Sequence, residues 1–555
     1  MEKRKSPTTF FSGRLDEGTA IPVTLHLKLS IVIPTYNRRD VLLSRALPAI
    51  FAQSMPFDEY EVIVIVDGST DGTSAALRDY RPPGAMQVLE QSHRGPGAAR
   101  NVGIAAARSP TVLFLDDDIV CGPDLLSQHA AAHPDEEPVV VHGSLSLAPE
   151  SPRSVQSSAI DAWYKAYFGH IESRSGLSWP QDDYLISNSS IPRATLTACG
   201  GFDENMPAKE DYELGLRLWK AGVKFKYLPA AVAHEYSVKP ARHVLWNDAE
   251  SFGRSEVLLS RKHPEYRPHS ALATLGNTAW WTRFTRRIVL QCPVSPAYLL
   301  SLPILVCEKL SRFSVAQRAG LRLLGIGRRI TLLRAGLRAT GSWNNFQREF
   351  VMRLPVLLYR RVGPLRPGLI SGLSVSPERF ERQVRWLARR GYTGIRPSDW
   401  LLWRREARSL PSRPVLLTFG HADDDLTEYV LPVLRRHGFG AGVFMDVGET
   451  GQAKASESET GSGTPGLLTP EQIDHWASHG FELGARYQVA RDHAQSVYDL
   501  DFGTGIEEGI NDLSTDPFML RRTIMRNDDS FLALESRLRW GRNPLQNLFS
   551  RAQLH

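Results

Sequence analysis

The chain has 555 residues but only four cysteines, and none of them forms a CxxC pair or another spacing typical of a metal site. This scarcity argues against a disulfide-stapled secreted scaffold and favours a reducing compartment with buried thiols. The sequence also lacks any run of about 18 apolar residues, so no membrane-spanning helix is predicted. The basic N-terminus has no apolar stretch behind it, which argues against a secretory signal. We therefore expect a cytoplasmic protein.

Acidic residues are nearly absent from one long segment. Between Trp280 and Phe350 only Glu308 and Glu349 oppose twelve arginine and lysine residues, and apolar residues recur there at roughly helical spacing. Two interpretations stay open. Basic amphipathic helices suit an anionic membrane surface, here the inner face of the cell membrane, with residues 280–350 as the contact. The segment can equally be a helical linker with a solvated basic face. No nucleic-acid partner is expected.

The length predicts two or more domains, since one core rarely serves so long a chain. From Leu29 onward, buried strands alternate with helical stretches, which predicts a mostly parallel α/β sheet. Strands are predicted at 30–34, 60–66, 85–89 and 111–115, and helices at 39–53, 73–80 and 97–109. We divide the chain into a polar tail (1–28), an α/β domain (29–268), a basic amphipathic helical linker (269–353) and a second α/β domain (354–555). Residues 451–466 of the last form a low-complexity insertion.

Carboxylates stand at three places in the first domain where a strand ends or a helix begins. Ligands of parallel α/β sheets bind at the carboxyl ends of the strands, so these acids are candidates for one site. Single aspartates are also common in turns and helix caps, which is the plain alternative for each. The three places are Asp67 after VIVIV, the run Asp116, Asp117 and Asp118 after VLFL, and the pair Glu210 and Asp211.

The run of three aspartates predicts a metal site. Packed like charges repel each other unless a cation or donor offsets them. Asp116 and Asp118 are alternate residues, so in an extended segment they point the same way and can share Mg²⁺ or Mn²⁺ with substrate phosphates. The turn Gly95-Pro96-Gly97 opens a helix whose N-terminus would attract phosphate. His234 could add a metal or phosphate contact, although packing at a strand end explains it equally well.

The motifs of this domain resemble those of family 2 glycosyltransferases with the GT-A fold. They are, in chain order, SIVIPTYNRRD, VIVDGSTDGT, RGPGAARNVG, FLDDD, NSSIPRATLTACGGFDE and KEDYELGLRLWKAG. The resemblance covers residues 29–268 and implies a nucleotide-sugar-binding domain. It implies a metal-dependent, inverting transfer of a sugar from a nucleoside-diphosphate donor to a saccharide or lipid-linked acceptor.

The same resemblance assigns roles to individual residues. Asp116 and Asp118 would be the DxD pair that binds the metal, and Asp211 would be the general base with Glu210 beside it. The donor would be bound by Asp67 at its base or ribose, by Arg100 near its phosphates, by Asn188 near its sugar, and also by Asn101 and Asp116. Many family members have two acids where this chain has Val66 and Asp67.

The second α/β domain resembles a polysaccharide deacetylase, through segments such as PVLLYRRVG, RPVLLTFGHADDD and YVLPVLRRHGFGAGVFM. Aligned without gaps, the two aspartates of the family's TFDD motif become Gly420 and His421. The two histidines of its HxxxH motif become Arg486 and Ala490. The resemblance therefore implies a truncated, degenerate deacetylase barrel without its metal. A new metal site built from His421 and Asp423 is a less favoured alternative.

Three functions are compatible with this pairing. The leading hypothesis is a glycosyltransferase of the hexosyltransferase class in surface polysaccharide synthesis, with an inactive deacetylase-like domain. The alternatives are a bifunctional glycosyltransferase–polysaccharide deacetylase and a non-catalytic polysaccharide-binding or assembly protein. The intact acids of the first domain favour the leading hypothesis over the last one.

Overall fold

The computed structural model divides the chain into two compact units. Unit 1 comprises residues 1–255 and 293–335, and unit 2 comprises residues 256–292 and 336–555. The predicted linker 269–353 is thus shared between the units. The structure describes residues 8–11, 27–134, 137–173, 184–273, 287–364, 374–420, 425–447, 453–454, 481–486, 503–504, 509–513, 515 and 520–540. The low-complexity segment 451–466 lies outside these ranges except for residues 453 and 454.

The described residues of unit 1 form a nine-stranded sheet in the order β1-β4-β3-β2-β5-β8-β7-β9-β6. The strands at 30–34, 60–66, 85–89 and 111–115 are confirmed to within one or two residues at each end. The strands of unit 1 are β1 Thr8–Phe11, β2 Leu29–Thr35, β3 Tyr60–Asp67, β4 Met86–Gln91, β5 Thr111–Phe114, β6 Ile119–Cys121, β7 Val139–Leu147, β8 Ser189–Pro192 and β9 Lys224–Glu235.

Helices connect these strands. The predicted helix 39–53 is three successive helical segments, the middle one a π-helix. The longest helix, Ser314–Ala339, crosses the boundary between the units, as does Ala249–Lys262. The helical segments of unit 1 are Arg39–Val41, Leu42–Ala46, Leu47–Phe51, Thr73–Asp79, Pro96–Ala106, Leu125–Ala131, Val155–Glu172, Arg193–Ala198, Glu210–Lys220, Ala241–His243, Val244–Asp248 and Tyr298–Lys309.

The central strands place the candidate acids at one edge of the sheet. β2 and β3 are almost entirely apolar and buried, and they pair in parallel with Thr35 opposite Val66. β5 runs parallel to β2, so the residues that follow β2, β3 and β5 emerge at the same edge. β8 is antiparallel to β5, with Ser189 opposite Phe114. The residues just before β8 therefore meet the aspartates that follow β5.

Unit 2 contains a second, mostly parallel sheet in the described residues, in the order β18-β17-β15-β14-β10-β19. Strands β13, β16 and β20 pair with β14, β15 and β10, while β11 and β12 pair with each other. The strands are β10 Leu354–Tyr359, β11 Arg361–Val362, β12 Ser374–Val375, β13 Thr393–Gly394, β14 Pro414–Phe419, β15 Ala441–Val447, β16 Ala453–Lys454, β17 Phe481–Arg486, β18 Gly503–Thr504, β19 Ile510–Asn511 and β20 Thr523–Ile524. The helical segments are Pro264–His269, Trp343–Phe346, Gln347–Val351, Pro377–Arg389, Pro397–Glu406, Leu426–Val430, Leu431–His437 and Phe531–Trp540.

The segment that resembles a deacetylase motif follows the buried strand β14, whose last residue, Phe419, packs in the core of unit 2. His421, Asp423 and Ala490 lie outside the described residues. Asp425, the last aspartate of the loop, accepts hydrogen bonds from the Nε and Nη2 atoms of Arg361, the first at 3.0 Å. This carboxylate is therefore neutralised by a guanidinium. That the second domain is an inactive, deacetylase-like domain remains a prediction.

Two helical glycines of unit 1 test how tightly this sheet is packed. A Cβ atom on Gly103 would lie 2.3 Å from Val32 Cγ1 of β2, whereas a Cβ on Gly169 would have no atom within 4 Å. Both glycines lie three residues before the end of their helices. Alanine gains about 1 kcal/mol of helix propensity at either site. We expect Gly169→Ala to raise the stability of unit 1. Gly103→Ala should lower it by about 1–3 kcal/mol, because overpacking outweighs propensity.

Urea unfolding of the two variants and the wild-type protein checks this prediction. Equal stabilisation by both substitutions would contradict the close helix–sheet packing at Gly103.

Candidate active site

A buried arginine joins the two acidic segments of unit 1. Arg100 lies in the helix Pro96–Ala106 and is 4 % exposed. Its Nη2 donates to Asp116 Oδ1 at 2.8 Å and its Nη1 donates to Glu210 Oε1 at 2.6 Å. Burial alone would lower the pKa of Arg100, but the two carboxylates raise it above its ordinary value. One guanidinium thus ties the aspartate run to the start of the helix Glu210–Lys220.

Asp116 is the aspartate of the run whose pKa is lowered. Burial acts to raise its pKa, but Arg100 and the hydroxyl of Ser187 outweigh burial and lower it. Ser187 Oγ donates to Asp116 Oδ2, and Ser187 reaches this position because β8 runs antiparallel to β5. Ser187 was not among the predicted site residues, since no sequence signal distinguishes it from its serine neighbours.

Asp117 and Asp118 are buried neighbouring carboxylates, and the pKa values of both are raised. Burial first, and the charge of Asp118 second, raise the pKa of Asp117 to about 7. Thr35 Oγ1 donates to Asp117 Oδ2 at 2.8 Å. Burial also raises the pKa of Asp118, although Arg38 Nη2 donates to its Oδ2 at 3.0 Å and partly offsets this effect. The pKa values of both neighbouring carboxylates are therefore raised, with burial as the largest cause.

Glu235 is a further acid of this edge that the sequence analysis missed. It is the last residue of β9 and lies opposite Ile119 of β6. Burial, followed by repulsion from Asp118, raises the pKa of Glu235 to about 7. Tyr164 donates its hydroxyl to Glu235 Oε2 at 2.6 Å. Its position at the end of a strand is the same sequence signal that selects Asp67.

Glu210 and Asp211 have different environments although they are neighbours. Glu210 accepts a hydrogen bond from Arg100 Nη1. Asp211 accepts a hydrogen bond from the backbone N–H of Tyr212 at 2.9 Å. Burial and the adjacent charge of Glu210 raise the pKa of Asp211 to about 7. A carboxylate with a pKa near neutrality can accept a proton efficiently at the operating pH, so Asp211 is a candidate for a general base.

Asp67 organises the loop that follows β4. Its Oδ1 accepts hydrogen bonds from Gln91 Nε2 at 2.7 Å and from the backbone N–H of Arg94 at 2.8 Å, and its Oδ2 accepts one from Gly95 N–H at 2.8 Å. The His93 ring pairs with the same carboxylate at 2.9 Å. This arrangement fixes the entry to the helix that carries Arg100.

An exposed aromatic pair lies beside this loop. The rings of Tyr36 and His93 stack with centroids 4.1 Å apart and planes inclined by 23°. Tyr36 follows β2 directly and is 46 % exposed. An accessible aromatic face at the carboxyl edge of the sheet can stack against a planar ligand.

Asn101 and Asn188 both make hydrogen bonds within unit 1. Asn101 donates to the carbonyl of Phe202 at 2.9 Å and accepts from its N–H at 2.8 Å, which clamps the loop around Gly201. Asn188 has a φ of 60° and no exposed surface. Its amide binds Ser144, Ala231 and His129. No exposed atom of Asn188 is available for the predicted donor contact, so the structure gives this residue a packing role.

His234 lies one residue before Glu235 on β9, and its Nδ1 shares a hydrogen bond of 2.7 Å with Ser146 Oγ. Adjacent residues of a strand point to opposite faces. The side chain of His234 is therefore directed away from the face on which Glu235 meets Tyr164 and the charge of Asp118. The hydrogen bond between His234 and Ser146 favours a packing role for His234. Its role as a metal ligand remains a prediction.

A divalent cation fits the electrostatics of this edge. Among the described residues, no group of three or more His, Cys, Asp and Glu side chains is arranged to hold a metal ion alone. Magnesium and manganese bound with substrate phosphates, however, need only one or two protein carboxylates. Arg38 Nη1 and Arg100 Nε are buried donors with no acceptor in the described part of the chain. Carboxylates also outnumber cations in this network: Asp116, Asp117, Asp118, Glu210, Asp211 and Glu235 interact with Arg38, Arg100 and Lys239.

Buried histidines behind this edge predict a pH-dependent stability. His129 Nε2 pairs with Asn188 Oδ1 at 2.9 Å, and burial lowers the pKa of His129 from 6.5 to about 4. Burial likewise lowers the pKa of His142 to about 3. Because the folded-state pKa values are depressed, the stability present above pH 6.5 is lost as the pH falls toward 4. The loss at pH 5 should be on the order of 2 kcal/mol per histidine.

Urea unfolding at pH 7 and pH 5 measures this loss. His129→Gln should reduce the difference between the two pH values, whereas the exposed control His170→Gln should leave it unchanged. An equal difference in both variants would show that His129 titrates normally in the folded state.

The comparisons with known proteins cover mainly the first part of the chain. Residues 30–176 match the family model "Glycosyl transferase family 2". The chain is 30 % identical over 292 residues to validoxylamine A glucosyltransferases from Streptomyces hygroscopicus subsp. limoneus and subsp. jinggangensis. Each alignment covers 47 % of this chain, and the chain spans 62 % of the first relative and 67 % of the second.

Two solved structures resemble parts of the chain only distantly. The mannosyltransferase PcManGT from Pyrobaculum calidifontis, in complex with GDP-Man and Mn²⁺, gives a TM-score of 0.37 at 19 % identity, over 57 % of this chain and 88 % of that one. The deacetylase PplD of Streptococcus pyogenes gives a TM-score of 0.27 at 17 % identity, over 33 % of this chain and 97 % of that one. Both scores are low, so neither likeness establishes a shared fold.

Family membership therefore rests on the family model and on the sequence relatives. A relative of which 67 % is covered at 30 % identity, together with the matching model over residues 30–176, shows that the chain belongs to glycosyltransferase family 2.

Proposed function

We propose that unit 1 transfers a sugar from a nucleoside-diphosphate donor to a hydroxyl of a saccharide or lipid-linked acceptor, with inversion at the anomeric carbon. The observation that carries this proposal is the buried contact of Arg100 with both Asp116 and Glu210. This contact ties a candidate diphosphate site to Glu210, the residue directly before the candidate general base Asp211. The names of the two validoxylamine A glucosyltransferases support a hexosyltransferase.

The donor base is proposed to stack on Tyr36. The exposed face of this ring, backed by His93, supports the assignment. Asp67 would act indirectly, because its carboxylate oxygens already bind Gln91 and the backbone N–H groups of Arg94 and Gly95. Removing Asp67 would release the loop that shapes the base pocket.

The diphosphate is proposed to lie between the aspartate run and the arginines. Asp116 and Asp118 would hold Mg²⁺ or Mn²⁺ together with phosphate oxygens. The ion, when bound, would neutralise the charge that develops on the departing diphosphate. Arg38 Nη1 and Arg100 Nε, the buried donors without an acceptor in the described residues, would donate to the same group.

Asp211 is proposed to take the proton of the acceptor hydroxyl. As the hydroxyl oxygen bonds to the anomeric carbon, the bond from that carbon to the diphosphate oxygen breaks, and the proton passes to Asp211. A single displacement of this kind inverts the anomeric centre. Glu210 would hold Arg100 in place and would not itself react.

The deacetylase-like unit is proposed to be inactive, because Gly420 stands where the family has its first aspartate and Asp425 is paired with Arg361. The presence of this unit supports the proposal that the protein acts in surface polysaccharide synthesis. The protein is proposed to act in the cytoplasm.

Kinetics of an Asp211→Asn variant test the proposed base. Turnover, measured as release of nucleoside diphosphate in the presence of acceptor, should fall about 10²–10⁴-fold. Donor affinity should change little, because the neutral side chain keeps its size. The wild-type turnover should rise with pH through about 7, since only ionised Asp211 accepts a proton.

Two further variants make this test specific. Glu210→Gln should weaken donor binding as well as turnover, because it frees Arg100. Asp161→Asn, on the surface of the helix Val155–Glu172, should change neither. Full turnover in Asp211→Asn would contradict the assignment of the base.

A further inference from the structure

The helix Tyr298–Lys309 of unit 1 has apolar residues on both of its faces. Its inner residue Ile304 is 3 % exposed and packs in a cluster with Val155, Leu245 and Leu324. A surface helix normally presents polar residues to solvent on its other side. This outer side is instead built from Tyr298, Leu299, Leu302, Leu305 and Val306, of which Leu299 is 79 % and Leu302 69 % exposed.

The apolar surface continues beyond the end of the helix. Leu310, Phe313 and Val315 are 41 %, 53 % and 71 % exposed. Single exposed apolar residues are ordinary on a protein surface, but a contiguous group of them marks an interaction site. Among the helices that the structure describes, none is long and apolar enough to cross a bilayer. The group is therefore suited to lying on a surface.

The charge of this segment indicates what kind of surface it binds. Residues 293–335 contain seven basic residues and one acidic residue. The acid, Glu308, is used within unit 1, where its Oε2 accepts a hydrogen bond from the backbone N–H of Val155 at 3.0 Å. Lys309, Arg312, Arg318 and Arg322 are exposed. A second copy of the chain would bring equal positive charge against this segment, whereas a negatively charged surface complements it.

We propose that the outer side of the helix Tyr298–Lys309, together with residues 310–315, docks unit 1 onto an anionic phospholipid bilayer. The apolar side chains enter the boundary between headgroups and acyl chains, as in other interfacial helices. The arginines and Lys309 pair with lipid phosphates at the rim. We call this surface the docking face.

The docking face is coupled to the candidate active site through one helix. The first turn of Val155–Glu172 receives Glu308, and a Cβ on Gly320 would lie 2.6 Å from Val155 Cγ2. Tyr164, about 14 Å further along the same helix, donates to Glu235 at the acidic edge. Docking would thus hold the acidic edge near the bilayer, which suits a lipid-linked acceptor. This last step rests on the proposed function, whereas the docking itself does not.

Vesicle flotation of the full-length protein without nucleotide tests the proposal. The wild type should float with vesicles of phosphatidylglycerol and phosphatidylcholine, and much less with phosphatidylcholine alone. Leu299→Ser/Leu302→Ser should weaken binding at least about tenfold, because it removes the inserted side chains. Arg318→Gln/Arg322→Gln should weaken it about tenfold or more, and high salt should have a similar effect.

Matched controls separate the docking face from general surface properties. Leu532→Ser removes a 63 % exposed leucine from a helix of unit 2 and should not change vesicle binding. Lys220→Gln/Lys224→Gln removes two exposed lysines elsewhere in unit 1 and should have little effect.

Three results would overturn the proposal. They are the absence of binding to any vesicle, vesicle binding unaffected by both double substitutions, and a wild-type dimer in sedimentation that Leu299→Ser/Leu302→Ser dissociates. The last would make the docking face a contact between copies of the chain. If the double variants lose vesicle binding but turn over a soluble acceptor normally, membrane docking is independent of catalysis.

Discussion

The ion pairs of Arg100 are the constraint on which the candidate site depends. The guanidinium lies on a helix that follows β4, and it meets Asp116 after β5 and Glu210 at the start of a helix 110 residues later. A buried charge of this kind is tolerated only when its partners are present, and removing one partner typically costs about 3–5 kcal/mol. The sheet must therefore bring these segments together before the arginine can be buried. Asp67 assists by holding the loop that leads into the arginine helix.

The crowding of carboxylates around this arginine has a functional consequence. Burial first, and repulsion between neighbouring carboxylates second, raise the pKa values of Asp117, Asp211 and Glu235. Such a site favours positive charge beside its carboxylates, and the divalent cation that accompanies an anionic donor would supply it. Ionising these buried carboxylates is unfavourable in the free protein. Perturbed pKa values of this kind cluster at functional sites, where they serve ligand binding and proton transfer.

The sequence was sufficient to predict the strands of the parallel sheet, because β2 and β3 are almost wholly apolar and their acids follow at once. The resemblance to the family motifs also selected Asp116 and Arg100 as residues of one site, but not the hydrogen bond between them. The sequence could not show that Asn188 points into the interior and not into the cleft. This direction follows from the left-handed backbone conformation of Asn188. Ser187 and Glu235 were missed because their roles depend on which strands are adjacent, and β8 and β9 become neighbours of the aspartate run only in three dimensions.

Calorimetric titration of the full-length protein with UDP, GDP, dTDP and CMP, in Mn²⁺ and in EDTA, tests the central claim most directly. The account predicts that one of these nucleotides binds at a single site and that Mn²⁺ strengthens the binding, since the acidic edge requires a cation between its carboxylates and the phosphates. Absence of binding by all four nucleotides, with and without the metal, would contradict the claim that this edge is a nucleotide-sugar site.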